Sequence, residues 1–192
     1  MSHVTMDASI DEAGEERVVQ AILGHHDQLA DGMRQRVGAL LDLVATDHLI
    51  KAETVRQDLL AYLDREILPH ARAEEQALYP PAAELPEGRL LVAGMVDEHH
   101  ALVDLVSELA TADTPVRTAA AARALAALFE THLRKENDLV LPLLRTAPAV
   151  RLATILAGMH DLLGADPDGD AKPVDAATDG GGCGCGGCAC GA

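Results

Sequence analysis

The sequence predicts an all-α fold, an up-down-up-down four-helix bundle with a short fifth helix and a disordered Gly/Cys-rich C-terminal tail. Three observations carry that expectation. The 192-residue chain is 48% hydrophobic but has no Trp, one Phe and two Tyr. Its core must therefore be aliphatic, which suits packed helices better than a sheet, where aromatic and β-branched residues dominate. Apolar residues recur at helical spacing in four long stretches, and no alternating strand pattern competes with them. The stretches are joined by short connections, which makes neighbouring helices antiparallel.

The elements follow in order. Residues 1–11 are polar and are expected to be flexible. From about Glu12, the positions Val18, Val19, Ile22, Leu29, Met33, Val37, Leu40 and Val44 form one helical stripe. A second helix starts near Asp47 or Lys51 and carries Leu59, Leu60, Leu63, Ile67 and Leu78. Pro69 should kink it, and Pro80-Pro81, which removes two donors in succession, should end it. A third helix begins after Pro86, with Leu90, Leu91, Val92, Met95, Val96, Leu102, Val103, Val106 and Leu109 facing inward. Thr114-Pro115 reads as an N-cap followed by proline at the first helical position. It opens a fourth helix carrying Leu125, Leu128, Phe129, Leu139, Val140 and Leu143. A fifth, about 149–163, ends at Gly164, so the bundle should occupy 12–164. Residues 165–192 hold half of the sixteen glycines and all four cysteines, and read as a flexible tail.

Charge and cysteine usage narrow the function. The net charge of −16 argues against binding nucleic acid, which needs a basic face, and against an acidic membrane surface. No apolar run reaches the roughly 18 to 20 residues that a membrane span requires. No basic start followed by an apolar stretch marks a signal peptide. The expectation is a soluble cytoplasmic protein whose body is built without disulfides.

The histidines carry the chemistry. Helix two contains His70-Ala-Arg-Ala-Glu74 and helix four contains His132-Leu-Arg-Lys-Glu136. Both read His-x-Arg-x-Glu, and each has a proline ten residues after the histidine, Pro80 and Pro142. A His and a Glu four apart share a helical face and can meet one metal centre, so this is an internal repeat of a chelating unit. Helices one and three each hold an adjacent pair, His25-His26 and His99-His100. Neighbours on a helix diverge by about 100°, so only one of each pair can face the core. The flanks of His26 and His99 are apolar at every inward offset, whereas those of His25 and His100 bring in Arg17, Gln28, Asp97 and Asp104. The inward set is therefore His26, His70, Glu74, His99, His132 and Glu136.

Four imidazoles and two carboxylates exceed the needs of a closed tetrahedral zinc site. They suit two metal ions bridged by Glu74 and Glu136, with two histidines on each and about two positions free per six-coordinate ion. As a metal-free core the same set would be costly, because buried ionisable groups need a partner. Ferritin-type sites use Glu-x-x-His and are richer in carboxylate, so that architecture is rejected. No His-Glu-x-x-His protease word occurs. His3, His48 and His160 stand apart from the set.

The arrangement resembles the hemerythrin-like, or HHE cation-binding, family: one His on helix one, His-x3-Glu on helix two, one His on helix three, His-x3-Glu on helix four. His26-Asp-Gln-Leu29, Glu74-Glu-Gln-Ala-Leu-Tyr-Pro80 and Asp97-Glu-His-His-Ala-Leu102 fit too, and the likeness covers about residues 15–146. It implies a non-haem centre of two iron ions, with His26 and His70 on one, His99 and His132 on the other, and Glu74 and Glu136 bridging. Two positions depart from the oxygen-carrying members. Val103 stands where they have a further histidine, and Asn137 where they have an aspartate. The ligand set is closer to that of the iron-centre repair proteins. That favours redox chemistry with peroxide, nitric oxide or oxygen over simple oxygen carriage, in a dry pocket lined by Leu29, Leu102 and Val103.

The tail adds Cys183, Cys185, Cys188 and Cys190 within eight residues. Four thiolates on a glycine-rich chain can surround Zn²⁺ or Cu(I), or hold an iron–sulfur cluster, or remain reduced. They keep open a second reading, a metal-handling protein that stores iron, donates it or repairs iron centres with a redox or metal-transfer partner.

Overall fold

The computed structural model describes the backbone of residues 4–147 and 150–164, with side chains from residue 13 on. Five helices follow one another: α1 (Val4–Ala45), α2 (49–83), α3 (Gly88–Thr111), α4 (115–145) and α5 (Leu152–Gly164). No strand occurs among the described residues. α1 and α3 each pack against both α2 and α4, which closes the four long helices into a bundle. α5 lies across α1 and the C-terminal half of α2. The cysteine tail lies outside the described residues.

α1 begins at Val4 and not near Glu12, so most of the segment expected to be loose is helical. No glycine or proline interrupts the sequence before Gly14. At the other end Asp47 adopts the left-handed region, with φ 58°. His48 N–H bonds to the Leu43 carbonyl at 2.9 Å and Asp47 N–H to that of Val44 at 3.2 Å. This pair of bonds closes the helix and turns the chain into α2.

α2 continues through Pro69 and does not end at Pro80-Pro81. It runs on to Ala83, with π turns at Leu63–Ile67 and Glu74–Leu78. α4 has a third π turn, Glu136–Val140. The N–H groups of Leu68, Tyr79 and Leu141 bond back five residues to the carbonyls of Leu63, Glu74 and Glu136. Each of these donors is followed by a proline: Pro69, Pro80 and Pro142. In a regular helix a proline ring meets the carbonyl four residues back, and its missing N–H leaves that carbonyl unpaired. The extra residue of a π turn relieves this conflict, so the helix passes the proline unbroken.

Each π turn also advances the buried face by one position. Beyond Glu136 the buried residues are Val140, Leu141 and Leu144; Leu139, expected inside, is 50% exposed, and Leu143 is only half-buried. On α3, Leu90 and Val103 are exposed as well, contrary to expectation. They lie about 200° and 100° around the helix from Val92 and Leu102, which take the inward stripe with Met95 and Leu109. Thr114 caps α4 as expected: its Oγ1 accepts the Arg117 N–H at 3.3 Å, with Pro115 in the first turn.

The bundle has two apolar clusters. One holds Leu29, Met33, Leu40, Leu63, Leu102, Leu125 and Phe129. The other holds Ile22, Leu78, Val92, Met95, Val140 and Leu144, and is covered by Leu152, Ile155 and Met159 of α5. On α1, α2 and α3 the inward histidine falls between the residues given to the two clusters, and on α4 Glu136 does.

The α2–α3 turn depends on one close approach. Gly88 donates its N–H to the Leu85 carbonyl at 3.0 Å, and a Cβ there would collide with the Ala82 carbonyl. Gly88→Ala should therefore lower the stability of the bundle by about 1–3 kcal/mol, read from the urea midpoint at unchanged slope.

Candidate metal centre

His26 of α1, His70 and Glu74 of α2, His99 of α3, and His132 and Glu136 of α4 meet in the layer between the two clusters. None of the six is more than 4% exposed. His100 is exposed, and His25 sits half-buried at the margin, its ring centroid 5.0 Å from that of His70.

Their donor atoms form two groups. His26, His70, Glu74 and Glu136 each bring one atom within 4.8 Å of the others; Glu74, His99 and His132 do the same. Glu74 belongs to both. Its Oε1 lies 2.8 Å from His70 Nε2 and 3.6 Å from His26 Nε2, while Oε2 lies 3.5 Å from His99 Nε2. Glu136 divides in the same way, with Oε2 3.8 Å from His26 Nε2 and Oε1 3.5 Å from His132 Nε2. Each carboxylate therefore sends one oxygen to each pair of histidines.

Tyr79, at the end of the α2 π turn, projects into the same layer. Its hydroxyl donates to Glu136 Oε1 at 2.5 Å and lies 3.4 and 3.3 Å from the Nε2 atoms of His99 and His132. Sequence reasoning passed over this residue because a buried aromatic on a helix reads as core. The available signal was its place just before Pro80, where the π turn re-aims the helix face.

Outside the centre, three of the four histidines have a hydrogen-bond partner at Nδ1. His26 bonds to Asn137 Oδ1 at 2.6 Å, His99 to Glu75 Oε1 at 2.7 Å and His132 to Glu98 Oε2 at 3.1 Å. A hydrogen bond at one ring nitrogen fixes the tautomer and aims the other nitrogen inward.

The electrostatics fit a cation. Burial alone would strip the charge from His26, but the nearby carboxylates of Glu74 and Glu136 raise its pKa to about 9. Burial likewise opposes the charge on Glu74, yet the imidazoles of His70, His26 and His99 hold its carboxyl well below the usual range. Burial and the Glu136 and Glu74 charges push the Tyr79 phenol upward. Even so, His26 Nε2, both nitrogens of His70, both oxygens of Glu74 and Glu136 Oε2 are buried without a hydrogen-bond partner. Unpaired buried polar atoms are rare in folded proteins. Five of these six atoms converge on one region as lone pairs or exchangeable protons, which is the donor set a divalent or trivalent metal requires.

The model of the hemerythrin HHE cation binding domain matches residues 17–144, two thirds of the chain. The chain belongs to this family. No curated protein and no solved structure matches it significantly. The hemerythrin-like domain thus spans the four long helices and all six inward residues, and its buried His/Glu cluster is a metal-binding site in character. α5 and the cysteine tail lie beyond the matched segment. Val103, expected to line the hemerythrin-like pocket, is 50% exposed, whereas Leu29 and Leu102 are buried. No helix among the described residues is long and apolar enough to cross a membrane.

The raised pKa of His26 has a consequence for the metal-free protein. Unfolded His26 releases its proton near 6.5, and the folded residue keeps it to about pH 9. The folded state thus binds more protons in that window, so stability is full below about pH 6.5 and declines as pH rises to about 9. The lowered pKa of Glu74 acts in the opposite sense, its contribution fading as pH falls below the ordinary carboxylate range. Urea midpoints of metal-stripped protein should fall between pH 6 and pH 9, and a level profile would contradict the His26 environment.

Proposed function

We propose that this chain is a non-haem di-iron protein that binds or reacts with a small oxidant (oxygen, peroxide or nitric oxide). The observation that carries the reading is the division of Glu74 and Glu136, each with one oxygen toward His26 and His70 or His26 alone, and the other toward His99 or His132. Such a pair of bridging carboxylates suits two ions held by two histidines each. Mixed imidazole–carboxylate sites with open positions suit iron.

When bound, the two irons would supply redox chemistry and open positions for a small ligand. The protein's own contributions follow from its side chains. Glu74 and Glu136 would hold the ions together with His26, His70, His99 and His132, and the outer partners of His26, His99 and His132 fix those imidazoles in place. Tyr79 keeps its proton and presents it to Glu136 Oε1, close to the face of His99 and His132, where it can also donate to a bound ligand. Leu29, Met33, Met95 and Leu102, all buried, exclude water from either side of the polar layer. A cavity of about 320 Å³ between α1 and α4 has His26, Ala30, Leu133 and Asn137 in its wall and suits the approach of a small molecule.

A second reading, metal handling, rests on Cys183, Cys185, Cys188 and Cys190. Four thiols suit a soft ion such as Zn²⁺ or Cu(I), or an iron–sulfur cluster, and a partner that accepts metal or electrons. Deleting residues 180–192 separates the readings. Loss of metal transfer with unchanged reaction toward peroxide or nitric oxide favours handling.

Purified protein should hold two irons per chain and show a ferric charge-transfer band that reduction bleaches. His70→Ala and His132→Ala should each lose about half the iron and lower the melting temperature, because metal binding is coupled to folding. Full iron in the double variant would overturn the assignment.

A further inference from the structure

The two halves of the bundle repeat each other beyond the ligands themselves. His25-His26, His70 and Glu74-Glu75 in one half correspond to Glu98-His99, His132 and Glu136-Asn137 in the other. The residue after each inward glutamate backs the single histidine of another helix: Glu75 Oε1 accepts from His99 Nδ1 at 2.7 Å, and Asn137 Oδ1 accepts from His26 Nδ1 at 2.6 Å. The residue before each single histidine faces the histidine of the His-x3-Glu unit. Glu98 Oε2 lies 3.1 Å from His132 Nδ1, whereas His25 sets its ring edge-on to His70, whose Nδ1 has no hydrogen-bond partner. The positions are equivalent, but the chemistry is not. Carboxylates stand behind both histidines of one pair, and an amide and an imidazole stand behind the other.

We propose that Glu75 and Glu98 make the two metal positions unequal, so that the His99/His132 position favours the ion of higher charge and the His26/His70 position the ion of lower charge. The proposal rests on the di-iron reading. A carboxylate that accepts the Nδ1 proton makes Nε2 more electron-rich and a stronger donor to a highly charged ion. Its negative charge also favours Fe³⁺ over Fe²⁺ directly. Lys135 ties down Glu98 and tempers that charge, while Glu75 is half-buried against His99. Asn137 offers a neutral acceptor and His70 receives none. In a diferric centre, one electron from dithionite then converts Fe³⁺ to Fe²⁺ at the His26/His70 position, and a second electron reduces the His99/His132 position.

The test is a reductive titration of the iron-loaded full chain, following the two one-electron midpoints by spectroelectrochemistry, with iron content and Mössbauer spectra in parallel. Outer partners of this kind change metal preference about ten- to hundredfold, which at 59 mV per decade is roughly 60–120 mV. In Glu75→Gln/Glu98→Gln the second midpoint should rise by that amount and the first stay near its wild-type value. Asn137→Glu, which copies Glu75 into the other half, should instead lower the first midpoint. Both changes bring the two steps closer together. Equal movement of both steps, or none, in variants that retain two irons would overturn the inequality and leave the di-iron reading standing. Wild-type protein without two irons overturns that reading, and this proposal with it. If the double Gln variant fails to hold iron, Asn137→Glu alone decides.

Discussion

The structure depends on one constraint: six ionisable side chains are buried in a layer across an otherwise aliphatic bundle. An isolated charge there would be costly, and even paired charges in an apolar interior barely recover their desolvation. The layer is nevertheless sandwiched by two apolar clusters, so water has little access and the side chains must answer one another. They do so incompletely, leaving atoms of His26, His70, Glu74 and Glu136 without partners. A cation placed among these atoms resolves the deficit, because it takes the imidazole lone pairs and offsets the charge of both carboxylates. The fold and the metal are therefore coupled, with the helices supplying the cage and the ion supplying its neutrality.

The π turns belong to the same logic. Glu74 and Glu136 each open one, four residues after a histidine and six before a proline. Up to the glutamate the regular helical repeat keeps His and Glu on one face. Past it, the extra residue turns the face by one position, bringing Tyr79 and Leu78 inward on α2 and Leu141 and Leu144 inward on α4. Without that step the second apolar cluster would be built from the wrong residues. The proline fixes where the step occurs, because a π turn accommodates it at less cost than a regular turn. The proline ten residues after each histidine is thus a structural companion of the ligand pair.

This explains which features were legible in the sequence. The four helices, the Thr114 cap and the inward orientation of His26 and His99 follow from helical periodicity, and the burial of all six site residues matches it. Periodicity assumes a constant turn, so it misplaced Leu139 and took Pro80-Pro81 for an end. Leu90 and Val103 show a different limit. On a chain nearly half hydrophobic, apolar residues also occupy the outer face, and adjacency to Val92 or Leu102 does not bring them inside. Tyr79, Glu75 and Glu98 were not picked out because their role is relational. A glutamate beside a ligand reads as a solvated charge until the facing helix is placed next to it.

Much of what makes the two sides of this centre unequal is carried outside the six inward residues. The internal repeat makes the inner set nearly symmetric: two histidines and a share of two carboxylates on each side. Within that set the two sides differ in one respect: Glu136 groups with His26 and His70, whereas His99 and His132 group with Glu74, their Nε2 atoms 3.0 Å apart. Further differences enter through Asn137 against Glu75, through His25 against Glu98, and through Tyr79, which leans toward His99, His132 and Glu136. Each is a single substitution in a repeated frame, far cheaper to vary than a ligand whose loss would empty the site. A bundle of this kind can thus alter its chemistry through the outer contacts while the inner cage, and with it the fold, stays fixed.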